Sequence, residues 1–229
     1  MIGLISAMQV EMEQLLLALN HRRVHQVGAM NFYTGKLYGQ EAVLAVCGPG
    51  KVNAALCAQA MILRFQPKWV LNLGVAGSIA DGLTIGDMAA ATGVVQHDMD
   101  TSPIGDPVGL ISGINLVTLP CAPELLERIT AAARALPQLR LFRGVIATGD
   151  QLIADAARKS WIADTFGAMC CEMEGAAVAH ACYLHGVDCA VVRSISDQAD
   201  GGAQMDYPKF VQLAAEHSAL LVKKLLEGM

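Results

Sequence analysis

The chain has 229 residues, of which 54% are hydrophobic and 16% charged, and its formal net charge is −5. This length supports one α/β domain with a substantial core, and the apolar balance favours an interface with a second copy of the chain. The acidic balance and the lack of a Lys/Arg cluster argue against nucleic acids and anionic membranes as partners.

The start of the chain and its cysteines indicate the compartment. Met1–Ser6 lacks the basic region of a secretory signal, and no apolar run reaches the roughly 18 residues of a membrane span. The seven cysteines are scattered and form no CxxC pair, which is typical of reduced, buried thiols rather than of a disulfide framework or a zinc site. We therefore expect a cytoplasmic protein.

Strands and helices alternate in the predicted secondary structure. The predicted strands cover residues 1–8, 32–37, 42–46, 69–73, 85–95, 141–147, 169–171 and 189–192. The predicted helices cover residues 13–19, 51–65, 123–136 and 210–226, and an Ala-rich helix follows Glu174. Residues 74–78 are predicted to form a tight loop of small residues, and residues 98–114 the longest loop. Because most strands are near-continuous apolar runs, we expect a largely buried sheet in one α/β domain over residues 1–229.

The most informative stretch is Cys170–Asp200, which sets three carboxylates among residues typical of a core. Glu172 and Glu174 stand just before an Ala-rich helix, and Asp197 follows an apolar strand. Carboxylates are rarely buried unless they are paired, hydrogen-bonded or used in chemistry. Since ligands of α/β sheets bind at the carboxyl ends of strands, these acids indicate a site.

Each acid also has a structural interpretation. Glu172 can pair with Arg193 as a buried ion pair. Asp197, which follows Ser196, can cap a helix or a turn, and Glu11 can be an acid favoured at a helix N-terminus. Local features alone do not separate these interpretations from catalysis.

Other motifs point away from metals and cofactors. The segment His97–Asp100 has His and Asp at short spacing, but no second His or Cys cluster in the sequence completes a coordination sphere. The sequence contains no GxGxxG, Walker or GxSxG motif. We expect neither a metal nor an organic cofactor.

Taken in order, several motifs resemble those of the 5′-methylthioadenosine/S-adenosylhomocysteine nucleosidases, within the nucleoside phosphorylase superfamily. They are IGLISAMQVEME, GPGKVNAA, NLGVAGS, ATGDQLI, CEMEGAAVAH and VVRSISDQAD. The resemblance implies a single α/β domain with a mixed, partly barrel-like central sheet flanked by helices. It also implies a homodimeric enzyme that hydrolyses the N-glycosidic bond of adenosine-type nucleosides without a cofactor, in methionine salvage.

The same resemblance implies roles for individual residues. Asp197 matches the acid at adenine N7, Glu11 the residue that activates water, and Glu174 with Met173 the ribose contacts. Ile104 lies in a loop that would enter the 5′ pocket of a partner subunit. The remaining positions expected to contact substrate are Met8, Val75, Leu152, Ile153, Glu172, Arg193, Ser196 and Tyr207.

Departures from the family pattern leave alternatives open. Pro49, Val75 and Leu152 differ from the residues usual beside the nucleoside, so the preferred 5′-substituent is open, and a futalosine-type hydrolase is one alternative. A purine nucleoside phosphorylase is another, although phosphate needs cationic side chains and Glu11 stands where it would approach. A nucleoside-binding protein without catalysis is the third.

Overall fold

The structure, a computed structural model, describes residues 1–197, 199 and 203–229, with side chains of the last helix described from Phe210 onward. Within these residues ten strands and six helices follow one another along the chain. They are β1 (Ile2–Ser6), α1 (Gln9–Ala18), β2 (Asn20–Val27), β3 (Met30–Leu37), β4 (Gln40–Val46), α2 (Lys51–Phe65), β5 (Trp69–Ser78), β6 (Met88–Gln96), β7 (Thr118–Pro120), α3 (Pro123–Arg134), β8 (Leu141–Thr148), α4 (Ala156–Phe166), β9 (Ala168–Glu172), α5 (Gly175–Leu184), β10 (Asp188–Asp197) and α6 (Ala203–Glu227).

The strands form one mixed sheet, part of which closes into a barrel. β5 pairs with β10, β10 with β6, β6 with β8, β8 with β9, and β9 again with β5. From β5 the sheet continues outward through β1, β4, β3 and β2, and β7 pairs with β6. The predicted fold class, a single α/β domain with a partly barrel-like sheet, is confirmed.

Two apolar cores lie on opposite faces of the sheet. In β1, Leu4 and Ile5 are both fully buried, yet Leu4 belongs to one core and Ile5 to the other. Successive strand residues point to opposite faces, so a continuous apolar strand fills both cores. Each buried leucine or isoleucine side chain contributes about 1.5–3 kcal/mol.

Two predicted boundaries near the site are wrong. Helix α1 begins at Gln9 rather than at residue 13, which places Glu11 in its first turn. Residues 74–78 continue β5 and do not form a loop. Glycine is needed at two of these positions because neighbouring side chains leave no room for a Cβ. A Cβ on Gly74 would lie 2.9 Å from Glu11 Oε1, and one on Gly77 would lie 2.8 Å from Asp197 Oδ1.

Three elements were not predicted: β2, β7 and α4. β2 is exposed along most of its length and is one end of the sheet, so it carries polar residues instead of an alternating apolar pattern. β7 has only three residues, and α4 buries a single side chain, Ile162. Elements with little buried surface leave a weak hydrophobic period in the sequence.

Candidate active site

A cavity of about 460 Å³ opens near the carboxyl ends of β1, β5 and β10. Its wall is mostly apolar and includes the carboxylates Glu11, Glu172, Glu174 and Asp197. The cavity brings together nine of the predicted site residues: Met8, Glu11, Val75, Leu152, Glu172, Met173, Glu174, Ser196 and Asp197. The strand ends named by the sequence therefore converge on one place.

Four predicted site residues stand outside this wall. Arg193 is buried behind it, and the Ile153 side chain packs in a small core with Ala147 of β8. Ile104 is 82% exposed, in a short 3-10 turn at Ser102–Ile104. The Tyr207 side chain lies outside the described residues.

Glu11 is held by backbone amides from two elements. Its Oε2 accepts hydrogen bonds from the amides of Ala7 (3.1 Å) and Met8 (2.9 Å), and its Oε1 accepts one from Val75 (3.0 Å). Burial raises the pKa of Glu11, and the amide hydrogen bonds together with the positive charge of Arg193 oppose that rise only in part. The carboxylate is thus fixed in orientation and has a greater affinity for a proton than an exposed Glu.

Glu172 and Arg193 form a buried ion pair. Arg193 donates to Glu172 Oε2 from Nη2 and, at 3.1 Å, from Nε, and both side chains are almost completely buried. Arg193 Nη2 also donates to Asn72 Oδ1 at 2.5 Å. Glu172 accepts further bonds from the Thr148 hydroxyl and from the Gly175 amide. The hydrogen-bonding capacity of Glu172 and Arg193 is therefore largely used by protein groups.

Glu174 differs from Glu172 although it lies two residues away. It precedes α5, but its side chain does not cap that helix, because Glu172 and Thr148 accept from the first amides of the turn. Glu174 Oε1 accepts from the Gly50 amide at 2.8 Å. Burial, reinforced by the negative charge of Glu172, raises the pKa of Glu174 to about 7. Glu174 is therefore left to face the cavity.

Asp197 reaches the cavity through an irregularity in β10. The register of β10 against β5 shifts between Ile195 and Asp197, and the successive residues Ser196 and Asp197 both line the cavity. Strict strand alternation would turn one of them away, whereas a bulge re-aims both. The Ser196 hydroxyl donates to Asp197 Oδ2 at 3.0 Å, and the Ala199 amide donates to Oδ1 at 2.8 Å.

The segment His97–Asp100 is engaged in contacts with other protein groups. Asp98 accepts from the Lys51 ammonium at 2.6 Å, and Arg158 Nη2 lies 3.3 Å from His97 Nδ1. Among the described residues no group of three or more His, Cys, Asp and Glu side chains is placed to hold a metal ion. The absence of a metal and of a cofactor stays a prediction.

Sequence reasoning missed the groups that support the acids. Asn72 holds Arg193, Thr148 holds Glu172, and main-chain amides hold Glu11 and Glu174. The signal available for Asn72 and Thr148 was a polar residue inside or ending an apolar strand. The amides leave no signal in side-chain identity.

Comparison with known proteins places the chain in a family. A family model described as the phosphorylase superfamily matches residues 1–227. A 5′-methylthioadenosine/S-adenosylhomocysteine nucleosidase of Shewanella oneidensis is 36% identical, over 100% of this chain and 97% of the relative.

Solved structures agree with this result. The nucleosidase of the same name from Neisseria meningitidis, in complex with methylthio-immucillin-A, superposes with a TM-score of 0.96 at 30% identity, over 100% of this chain and 99% of that one. A futalosine hydrolase of Helicobacter pylori superposes with a TM-score of 0.95 at 34% identity, over 100% and 97%. The chain therefore belongs to the phosphorylase superfamily and, within it, to the family of 5′-methylthioadenosine/S-adenosylhomocysteine nucleosidases, which are hydrolases of N-glycosidic bonds.

Proposed function

We propose that this protein hydrolyses the N-glycosidic bond of 5′-methylthioadenosine and S-adenosylhomocysteine, releasing adenine and the thioribose product. One observation carries the proposal: Glu11, Glu174 and Asp197 face one cavity, and each is held by different partners. Three carboxylates in distinct environments can divide the work of acid, base and charge stabilisation. The names of the relatives at 35–36% identity supply the substrate class.

Asp197 is proposed as the general acid. Adenine leaves readily only when N7 accepts a proton, so the reaction needs an acid beside the base. The hydrogen bonds from the Ser196 hydroxyl and the Ala199 amide, at 3.0 and 2.8 Å, fix the orientation of the carboxyl group. A fixed acid avoids the entropy cost of finding the leaving group during the reaction.

Glu11 is proposed as the group that orients and deprotonates the attacking water. Its three amide hydrogen bonds fix the carboxylate at the cavity wall. Because burial raises its pKa, Glu11 accepts a proton from water more readily than an exposed Glu would. The product of this step is a hydroxide-like oxygen that attacks the ribosyl carbon as the bond to adenine breaks.

Glu174 and Met173 are proposed as the ribose contacts. Glu174 has one oxygen on the Gly50 amide, which leaves hydrogen-bond capacity for ribose hydroxyls. The ribosyl centre becomes cationic in the transition state, as in other glycosidic cleavages, and a nearby carboxylate stabilises it. Met8 and Leu152 add apolar wall for the rest of the nucleoside.

For Glu172 and Arg193 the contacts support a positioning role. Glu172 accepts from the amides that begin α5, and Arg193 is enclosed by Glu172 and Asn72. Arg193 Nη2 also lies 4.0 Å from Glu174 Oε2. The pair thus holds the start of α5, and with it Glu174, at the edge of the cavity.

The two enzymatic alternatives have different support. Among the described residues that line the cavity there is no Lys or Arg, and the nearby Arg193 is enclosed by protein acceptors, which disfavours phosphate as the nucleophile. Futalosine hydrolysis has a specific observation in its favour, the close superposition on the Helicobacter pylori enzyme of that name. It therefore belongs in the first experiment.

A cytoplasmic homodimer that acts in methionine salvage is also part of the proposal. Val52 and Leu63 of α2, Leu184 of α5 and Ile104 are all more than 60% exposed, which is costly for apolar side chains in water. A second copy of the chain could cover them, and light scattering should then give twice the chain mass of 24.2 kDa. Within the described part of the chain, no helix has the length and apolar character needed to cross a membrane.

The activity test is release of the free purine base by purified protein from 5′-methylthioadenosine, S-adenosylhomocysteine and futalosine, each with and without phosphate. We expect phosphate-independent adenine release from the first two, with the free thioribose product of each identified by mass spectrometry. Release of base from futalosine alone would move the protein to the futalosine hydrolases. Formation of a sugar 1-phosphate only when phosphate is present would contradict the role of Glu11.

A further inference from the structure

Three loops beside the cavity are tied together by a closed set of hydrogen bonds. The Lys51 ammonium donates to Asp98 Oδ1 at 2.6 Å and to Gln96 Oε1 at 3.2 Å. The Asp150 amide donates to Asp98 Oδ2 at 2.9 Å, and the Lys51 amide donates to Asp150 Oδ1 at 2.7 Å. These bonds join the start of α2 to the end of β6 and to the loops that follow β6 and β8. We name Lys51, Asp98 and Asp150 the clasp.

The clasp adjoins two parts of the cavity wall. Gly50, the residue before the clasp lysine, donates its amide to Glu174 Oε1 at 2.8 Å, and its neighbour Pro49 lines the cavity. Leu152, two residues after Asp150, also lines the cavity. A shift in the clasp would therefore move both the amide that holds Glu174 and the apolar wall.

The fit of Gly50 shows how little freedom this loop has. Gly50 has a φ of +96°, and a Cβ on it would lie 3.0 Å from Asp150 Oδ1. Only glycine adopts that conformation without strain, and it permits the close approach of Asp150. The Asp150 carboxylate thus packs closely against Gly50 while it accepts from the amide of the next residue, Lys51.

We propose that the clasp of Lys51, Asp98 and Asp150 is a positioning device that holds the Gly50 amide on Glu174 and so determines how strongly the enzyme recognises the ribose hydroxyls. The inference rests on the proposed role of Glu174 as the ribose contact. The clasp residues themselves are not among the proposed ribose contacts. They act through the main chain of Gly50.

Partial burial distinguishes the Lys51–Asp98 pair of the clasp from an ordinary surface ion pair. The side chains of Lys51 and Asp98 are only 19% and 18% exposed, so removal of one charge leaves the other poorly solvated. The Asp98 carboxylate has its pKa lowered by its hydrogen bond to Lys51 even though burial opposes this, which agrees with an ionised pair. The loops should rearrange when the pair is broken.

The test compares two substrates in each variant: 5′-methylthioadenosine and its 2′-deoxy analogue. The ratio of their kcat/KM values measures recognition of the 2′-hydroxyl, and the intrinsic lability of the deoxy sugar cancels between variants. In Lys51→Met we expect this ratio to fall about tenfold, the value of one hydrogen bond to a charged group. Lys51→Arg, which keeps the charge, should retain most of the ratio.

Asp98→Asn attacks the clasp from the other side and changes little volume. It should lower the ratio to a similar extent, and the double variant with Lys51→Met should lower it little further, because one device is broken in both. The matched control is Arg143→Met, which breaks the exposed ion pair of Arg143 with Glu127 and should leave the ratio unchanged. Light scattering on each variant checks that the oligomeric mass is the same.

The possible results separate failure of the clasp proposal from failure of the proposed function. Equal losses of kcat/KM on both substrates, with an unchanged ratio, would make the clasp merely structural and overturn the proposal. A wild-type enzyme that hydrolyses both substrates without the expected preference would also overturn it, while leaving the hydrolase assignment intact. A wild-type protein that acts on neither substrate would contradict the proposed function itself, and the clasp proposal with it.

Discussion

Glu172 and Glu174 are separated by one residue, both are buried, and their environments are opposite. Both line the cavity, but Glu172 accepts hydrogen bonds from Arg193, Thr148 and main-chain amides, whereas Glu174 accepts one close amide hydrogen bond. Burial alone therefore does not mark a reactive acid. Unused hydrogen-bonding capacity facing a cavity does so better.

The largest expected effect comes from replacing Glu172, whose oxygens are fully engaged in hydrogen bonds with protein groups. Glu172→Leu leaves the Arg193 guanidinium buried without its carboxylate, and removing one partner of a buried pair costs about 3–5 kcal/mol. Urea unfolding monitored by circular dichroism should show that loss of unfolding free energy. Glu127→Gln, in the exposed pair with Arg143, is the control and should cost about 0–1 kcal/mol. Equal small losses would mean that the Glu172 pair is not a structural anchor.

Replacing Glu174 should have the opposite effect on stability. Its folded pKa is raised from 4.5 to about 7, so the folded state binds the proton more tightly than the unfolded state. Protonation thus stabilises the fold as the pH falls through 7 towards 4.5, and at higher pH the buried charge costs stability. Glu174→Gln should gain about 1–3 kcal/mol at pH 8 and lose about 100-fold in kcat/KM.

Thermal unfolding and steady-state kinetics on the same preparation of Glu174→Gln check the expected gain in stability and the expected loss in kcat/KM. The glutamine can still accept from the Gly50 amide, so the loop contact is kept. A variant that is both less stable and fully active would contradict the account of this residue.

The third and smallest effect is on the pH profile. If ribose binding needs the ionised form of Glu174, kcat/KM should decline as the pH falls through about 7, by about tenfold per unit at the steep end. Glu172, Arg193 and Glu11 are the charged groups that act on Glu174. In Glu174→Gln the decline near pH 7 should be absent, because glutamine has no proton to gain there. A profile identical in both proteins would assign the decline to another group.

Much of this arrangement could be predicted from the sequence. Near-continuous apolar strands identified a buried sheet, and the ordered motifs identified the family and the acids that meet at the cavity. Closure of the barrel could not be predicted from periodicity, because it depends on which strands pair at a distance in sequence. The resemblance to the family supplied that part.

The finer geometry of the site could not be predicted for a different reason. The small residues at 74–78 resemble a loop in the sequence. They are small because the carboxylates of Glu11 and Asp197 pack directly against this part of the strand. The bulge at Ser196 and the amide of Gly50 are main-chain features with no side-chain pattern. Asn72 and Thr148 hold the Arg193–Glu172 pair, so they decide which of the two acids has its oxygens occupied by protein groups. Those contacts are visible only in the folded structure.

The most direct test of the account is turnover and thermal stability of Asp197→Asn, measured on one preparation. Adenine release from 5′-methylthioadenosine should fall by about a thousandfold, because a general acid contributes about 10²–10⁴-fold, while the melting temperature should stay close to that of the wild type. Binding of the substrate, followed by calorimetry, should persist. Hydrolysis at the wild-type rate would contradict the assignment of Asp197 as the acid and the proposal that carboxylates facing the cavity perform the chemistry.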